Sequence, residues 1–311
     1  MTEQRKVTTG HLLALLTILI WGTTFISTKI LLIDFTPVEI LFFRFLIGYV
    51  VLFMLYPRPL RTASFREELL FMAAGLCGVT LYFLIENIAL VYTHAASVGV
   101  IVSIGPFLTA VLAHFFLKGE KLHTRFIAGF GVALTGIILI GLNGSLILRL
   151  NPLGDLLAFL APAVWAVYSV LMRTISQRNY STIGATRKVF FYGLLFMTPA
   201  LFLFEFNLDF TRLTNMVNLS NLLFLGLGAS ALCFVTWNRA VGLLGAVKTS
   251  VYIYLVPVIT VGASALILQE RITWVTVLGT GLALGGSLIS EGKSKIATTS
   301  DRDTPSYVES G

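Results

Sequence analysis

Two stretches decide the fold of this chain: GLCGVTLYFLIENIALVYTHAASVGVIVSIGP (residues 75–106) and GLGASALCFVTWNRAVGLLGAVKTSVYIYLVP (residues 226–257). They align without a gap at an offset of 151 residues, placing Gly75 on Gly226, Asn87 on Asn238, Ala89 on Ala240, Ala95 on Ala246 and Pro106 on Pro257. One residue then drops out. At an offset of 150, Glu120 and Lys121 meet Glu270 and Arg271, and Gly129, Gly131, Ala133 and Gly136 meet Gly279, Gly281, Ala283 and Gly286. Nearer the N-terminus, at an offset of 144, Trp21 meets Trp165, Lys29 meets Arg173, and Arg44 meets Lys188. The chain is one unit written twice.

Hydrophobic residues make up 56% of the chain and charged residues 12%, against roughly 25% charged in soluble domains. The apolar excess comes in blocks long enough to cross a bilayer, which takes about 20 residues of helix. Ten are readable, at 11–32, 38–56, 69–91, 97–117, 124–142, 153–173, 183–204, 220–243, 248–268 and 273–291. None alternates apolar and polar residues as a transmembrane strand would. The expectation is an all-α polytopic membrane protein with ten transmembrane helices. They fall into two five-helix repeats, 11–142 and 153–291, with polar tails at 1–10 and 292–311. Five is odd, so the second repeat enters from the opposite side and the repeats are inverted. An inverted duplication of apolar helices is how secondary transporters are built, with the substrate site between the repeats near the midplane.

Charge sets the orientation. With a cytoplasmic N-terminus, the inner segments hold Arg5, Lys6, Arg58, Arg61, Arg66, Lys118, Lys121, Arg125, Arg173, Arg178, Lys248, Lys293, Lys295 and Arg302, and the outer ones Lys29, Arg149, Arg212 and Arg271. That excess places both termini on the cytoplasmic side, and the expected location is a cell inner membrane. It also accounts for the +7 charge without a nucleic-acid partner. The nearest approach to a phosphate-binding loop, Gly292-Lys293-Ser294, lacks its first glycine and follows an apolar helix, so an ATP-driven pump is excluded. His94, His114 and His123 have no ligand spacing with Cys or carboxylates, so neither a metal nor a cofactor is expected. Cys77 and Cys233 lie inside spans and read as packing residues.

The run Asn87-Ile-Ala-Leu-Val-Tyr-Thr-His-Ala-Ala-Ser97, then Ser103-Ile-Gly-Pro106 and Glu120-Lys-Leu122, resembles the EamA-type drug/metabolite transporter superfamily. Asn238-Arg-Ala240, Pro257 and Glu270-Arg-Ile272 repeat that signature, and Trp21-Gly22 and Trp165-Ala166 are similar to its span openings. The resemblance implies export of small metabolites such as amino acids by alternating access, without catalysis. Relatives further off move sugar phosphates or nucleotide sugars. An intramembrane enzyme would need an acid, base or nucleophile constellation that the sequence does not contain.

Within that frame, Pro106 and Pro257 fall near the middle of two matched spans. Each frees the carbonyl four residues back, at Val102 and Ile253, and each reads as a gating hinge or a static kink. Glu86 is the acid deep within a span, suited to an amino group or a proton, or to a structural partner. Arg44 and Lys188 read as snorkelling cations; facing the cavity instead, they would suit anionic substrates. Trp21, Tyr82, Trp165, Tyr168, Trp237, Tyr252 and Tyr254 offer flat walls with hydrogen-bonding edges. Thr24, Asn87, Ser103 and Asn238 complete the candidate substrate-binding set, and Arg239 beside Asn238 could pair with a carboxylate. The cavity is expected between spans one, three, four, six, eight and nine. Glu120 and Glu270 read as structural charges at helix starts. Gly129, Gly131, Gly136, Gly279, Gly281, Gly285 and Gly286 read as sites of close helix approach, within one chain or between two.

The orientation is open to direct measurement. A cytoplasm-active reporter fused after Gly311 and a periplasm-active reporter inserted at Asn207 are both expected to function. The reversed pattern would refute the charge reading.

Overall fold

The computed structural model describes residues 3–92, 98, 101–120, 123–142, 152–178, 180–204, 206–267 and 273–291. No strand occurs among them. Helix α1 spans Glu3–Leu31, so residues 3–10, expected as polar tail, continue the first helix. Helices α2 (Pro37–Leu55) and α3 (Phe65–Tyr92) follow, then α4 (Gly105–Phe116), α5 (Thr124–Leu142) and α6 (Pro152–Ser176). The chain closes with α7 (Thr182–Leu203), α8 (Met216–Leu244), α9 (246–267) and α10 (Trp274–Glu291). Five of these, α1, α2, α3, α6 and α8, are long and apolar enough to cross a membrane. Large apolar side chains such as Phe116, Phe202, Leu203 and Leu288 are exposed on helix surfaces, an exterior suited to lipid rather than water.

Local sequence explains the helix ends. Thr36 caps α2 in a reciprocal box with Glu39, and Pro37 opens its first turn, where a missing N–H costs nothing. Ser64, Ser181 and Asn215 cap α3, α7 and α8 by accepting a backbone amide of the first turn. Two helices contain wider turns. In α3 the π-helical segment is Leu76–Leu81, and in α8 it is Phe224–Leu232. Under the 151-residue register the first falls on 227–232, inside the second. Nothing in the sequence anticipates these turns, which shift backbone pairing from four residues to five and occur often at functional sites.

The core is aromatic. Phe45, Phe190 and Phe234 meet edge to face with ring centres 4.9, 5.0 and 5.6 Å apart, joining α2, α7 and α8. Helices α5 and α10 pack against each other through Gly129, Gly136, Gly279 and Gly286, where a Cβ would run into the facing backbone. Gly131, Gly281 and Gly285 face open space instead, so four of the seven expected glycines sit at that approach.

Polar bonds tie the two halves together at both ends of the bundle. At the end where α1 begins, Glu67 accepts from Tyr180 (2.5 Å) and pairs with Arg178, Glu68 pairs with Lys188 (2.7 Å) and accepts from Tyr192, and Arg187 donates to the carbonyls of Tyr56 and Arg58. At the opposite end Glu39, 1% exposed, takes both terminal nitrogens of Arg212 at 3.0 Å and the Asn207 amide at 3.0 Å. These bonds raise the Arg212 pKa above its ordinary value. Asn218 donates to Asp34 beside them at 2.8 Å. Removing one partner of a buried pair strands the other charge, at a cost of about 3–5 kcal/mol. Glu39→Ala is therefore expected to lower the unfolding temperature in detergent markedly, whereas Asp209→Ala, which removes a 3.8 Å contact between Arg212 and an exposed carboxylate together with the cap on the short turn Phe210–Thr214, should lower it much less.

Candidate functional site

The breaks in the helices converge. Pro106 stands in the first turn of α4, after a turn at residues 103–104. Pro257 stands in the first turn of the α-helical part of α9, after the tighter 3-10 segment Val251–Leu255. Each proline thus begins a helical segment and does not interrupt one. Both carbonyls expected to be freed belong to residues on one cavity, since Val102 and Ile253 each line it. The Ile253 carbonyl is taken up by the Val256 amide, as a buried group in an apolar surrounding requires.

The cavity is open on one side and lies among α1, α2, α3, α4, α6 and α9. Trp21, Phe25, Phe83, Pro162 and Trp165 make its apolar wall, and Thr24, Arg44, Tyr82 and Glu86 bring polar atoms to it. Trp21 is oriented by donating its indole N–H to the Ala229 carbonyl at 2.9 Å, a group inside the π-helical segment of α8. It crosses Trp165 edge to face at 5.4 Å. Trp165 lies in turn against Tyr82 at 4.9 Å, and its indole N–H is buried without a partner among the described residues.

Two charges of opposite sign are sealed into this wall. Arg44 is 2% exposed and Glu86 6%. The Arg44 Nε donates to Ser230 Oγ at 3.0 Å, again in the π-helical segment of α8, and its guanidinium lies 4.4 Å above the Phe83 ring. Glu86 Oε1 accepts from the Tyr82 hydroxyl at 2.6 Å, one helical turn away. The charges sense each other, yet no direct ion pair joins them, and both remaining Arg44 nitrogens and Glu86 Oε2 have no hydrogen-bond partner among the described residues.

Trp21, Thr24, Tyr82, Glu86 and Trp165 of the candidate set therefore come together. Trp237 lies one layer behind, 5.1 Å from Trp21. Tyr168 donates to Asn238 at 2.8 Å and Asn238 to Thr186 at 3.0 Å, a buried chain joining α6, α8 and α7. Asn87 donates to the Pro37 carbonyl at 3.2 Å, Ser103 is buried at the turn before α4, and Tyr252 meets His11 at 2.6 Å near the start of α1. Tyr254 packs with Phe130 against α5. Span eight was expected on the wall and supplies none of its lining residues; span two, through Arg44, does.

Arg44 takes the second of its two sequence readings: instead of snorkelling it turns inward to the cavity, because Phe83 and Ser230 receive its head. Lys188, its match, behaves differently and reaches Glu68. The available signal was that Arg44 and Glu86 are opposite charges deep in spans of one repeat. Glu120, expected to serve the following helix, instead reaches across to the other half. It accepts the amides of Ala246 and Val247 at 3.0 and 2.8 Å and pairs with Arg173 at 3.2 Å. Gly245, with φ +95°, lies against that carboxylate. Glu270, Arg271 and His94 lie outside the described residues. Among the described residues no metal-ligating cluster occurs, and Cys77 and Cys233 are free.

The profile of a family described as an EamA-like transporter family matches residues 8–142 and again 152–291. A protein of Archaeoglobus fulgidus named "Uncharacterized transporter" is 29% identical, over 91% of this chain and 97% of its own length. One of Escherichia coli named "Probable amino-acid metabolite efflux pump" is 24% identical, over 89% and 93%. A solved crystal structure superposes with a TM-score of 0.72 at 20% identity, covering 91% of this chain and 96% of that one, which speaks for the fold. If the cavity binds a ligand, Trp21 and Trp165 should report it: intrinsic fluorescence is expected to change on ligand addition and to lose most of that response in Trp165→Leu.

Proposed function

The chain belongs to the EamA-like transporter family, and on that premise we propose that it exports small metabolites, amino acids foremost, by alternating access through the cavity between its halves. It is a membrane transporter and not an enzyme. The observation that carries the finer reading is the cavity itself: matched helix breaks at Pro106 and Pro257 open onto a space lined by Glu86 and Arg44. A relative named for amino-acid metabolite efflux supports the substrate class.

The proposed architecture is ten spans in two inverted repeats at 11–142 and 153–291, both termini cytoplasmic, in the inner membrane. Matched details support it. Lys29 donates to the Leu90 carbonyl at 2.7 Å, and Arg173 to the Val241 carbonyl at 3.2 Å; Lys29 falls on Arg173 and Leu90 on Val241 under the offsets read from sequence. On this orientation the end tied by Glu67, Glu68 and Glu120 is cytoplasmic and the end tied by Glu39 and Arg212 is outer. Opening toward the cytoplasm requires Glu120 to release the start of α9, with α4 and the second α-helical part of α9 swinging about the breaks that precede Pro106 and Pro257.

A sugar-phosphate exchanger would need several cations on the cavity. Lys188 is committed to Glu68 and Glu86 would repel a phosphate, so the geometry favours a substrate with both charges. Proteoliposomes loaded with an amino-acid panel are expected to release at least one member. Arg44→Gln should abolish that flux and Lys188→Gln should leave most of it, while Pro257→Ala should slow it severalfold. Equal loss in both charge variants would favour the phosphate reading, and no flux of any amino acid would refute the proposal.

A further inference from the structure

Arg44 and Glu86 pose an energetic question that the protein alone does not answer. A charge buried at membrane depth costs several kcal/mol unless it is paired or hydrated. Each is here held by one neutral partner, Ser230 or Tyr82. Each keeps hydrogen-bonding capacity unused, and both line one cavity. If the two served only as mutual structural counter-ions, a direct contact would be the lower-energy arrangement. Instead the Arg44 head is parked over Phe83 at 4.4 Å and the Glu86 carboxylate is turned by Tyr82, whose own ring is braced against Trp165. The aromatic scaffold keeps the charges apart with the cavity beside both.

Resting on the reading of this cavity as the substrate site, we infer that it is a two-pole receptor for free α-amino acids. Arg44 takes the carboxylate through its two unpaired nitrogens, the geometry guanidinium offers best. Glu86 takes the ammonium through Oε2. Trp21, Phe25 and Trp165 enclose an apolar side chain, with Thr24 at the edge. The bound complex then neutralises both protein charges with no net charge added. Compounds carrying one pole leave the other protein charge buried and unpaired, so discrimination against them is strong. A second anionic or cationic group on the substrate side chain meets an apolar wall and is rejected as well.

The test is competition in proteoliposome counterflow, using leucine, N-acetyl-leucine, leucine methyl ester and leucinol, with thermal stabilisation of the purified protein as a parallel binding measurement. In the wild type the N-acetyl compound, the ester and the alcohol are expected to be about 10- to 100-fold weaker than leucine. Read by thermal stabilisation, which needs no flux, Glu86→Gln should erase the penalty on N-acetyl-leucine and keep that on the ester; Arg44→Gln should do the reverse; Arg44→Lys should restore part of the carboxylate preference. Unfolding temperatures near the wild type's confirm that the variants are folded. Equal binding of all four compounds, penalties unchanged in the variants, or no binding of leucine or any other free amino acid would each overturn the two-pole assignment. Thr24→Trp, which fills the cavity, separates the two levels: if some other solute is carried and this variant blocks it, the cavity reading stands while the zwitterion falls. If carriage persists in Thr24→Trp, the cavity reading itself falls.

Discussion

A backbone carbonyl deprived of its helical partner in an apolar surrounding must be satisfied by something else, and the organisation of this protein follows from where such carbonyls are permitted. The breaks before α4 and within α9, and the wide turns of α3 and α8, all lie inside the bundle. Carbonyls in these segments take up further donors or face the cavity. Ala229 receives the Trp21 indole, Ile253 receives the Val256 amide, and Val102 and Ile253 border the cavity. Breaking a helix is expensive facing lipid and tolerable facing a cavity, so irregular backbone and candidate site coincide.

The charges follow the same logic. Glu39, Glu67, Glu68 and Glu120 are each tied to a cation or to backbone amides of the other half, and these bonds hold the halves in register at the ends. Glu86 and Arg44 are the exception at depth. Their neutral partners fix their directions without neutralising them, which leaves the centre of the bundle electrostatically incomplete while its ends are complete.

The resemblance of the two halves was legible over most of the chain because an apolar repeat with matched Asn, Pro and Gly positions leaves a strong pattern. The aromatic wall was legible in part: Trp21, Tyr82 and Trp165 reach the cavity, whereas Tyr168, Trp237 and Asn238 lie behind it in a packing layer. Helical spacing specifies that such residues face inward. It does not specify which of two inward layers they enter, because that depends on helix separations of a few ångströms.

An apolar helical chain made of two copies, the position of its prolines and a few charges within apolar spans are all legible in the order of residues. Those properties follow from composition and period alone. That Arg44 turns inward while its match Lys188 turns to Glu68, and that Glu120 caps a helix of the opposite half, depends on how the helices pack. The reason is physical: a long cationic or anionic side chain goes where a partner lies within reach, and those partners, Ser230, Phe83, Glu68 and the Ala246 amide, are brought near by folding and not by neighbourhood in the chain.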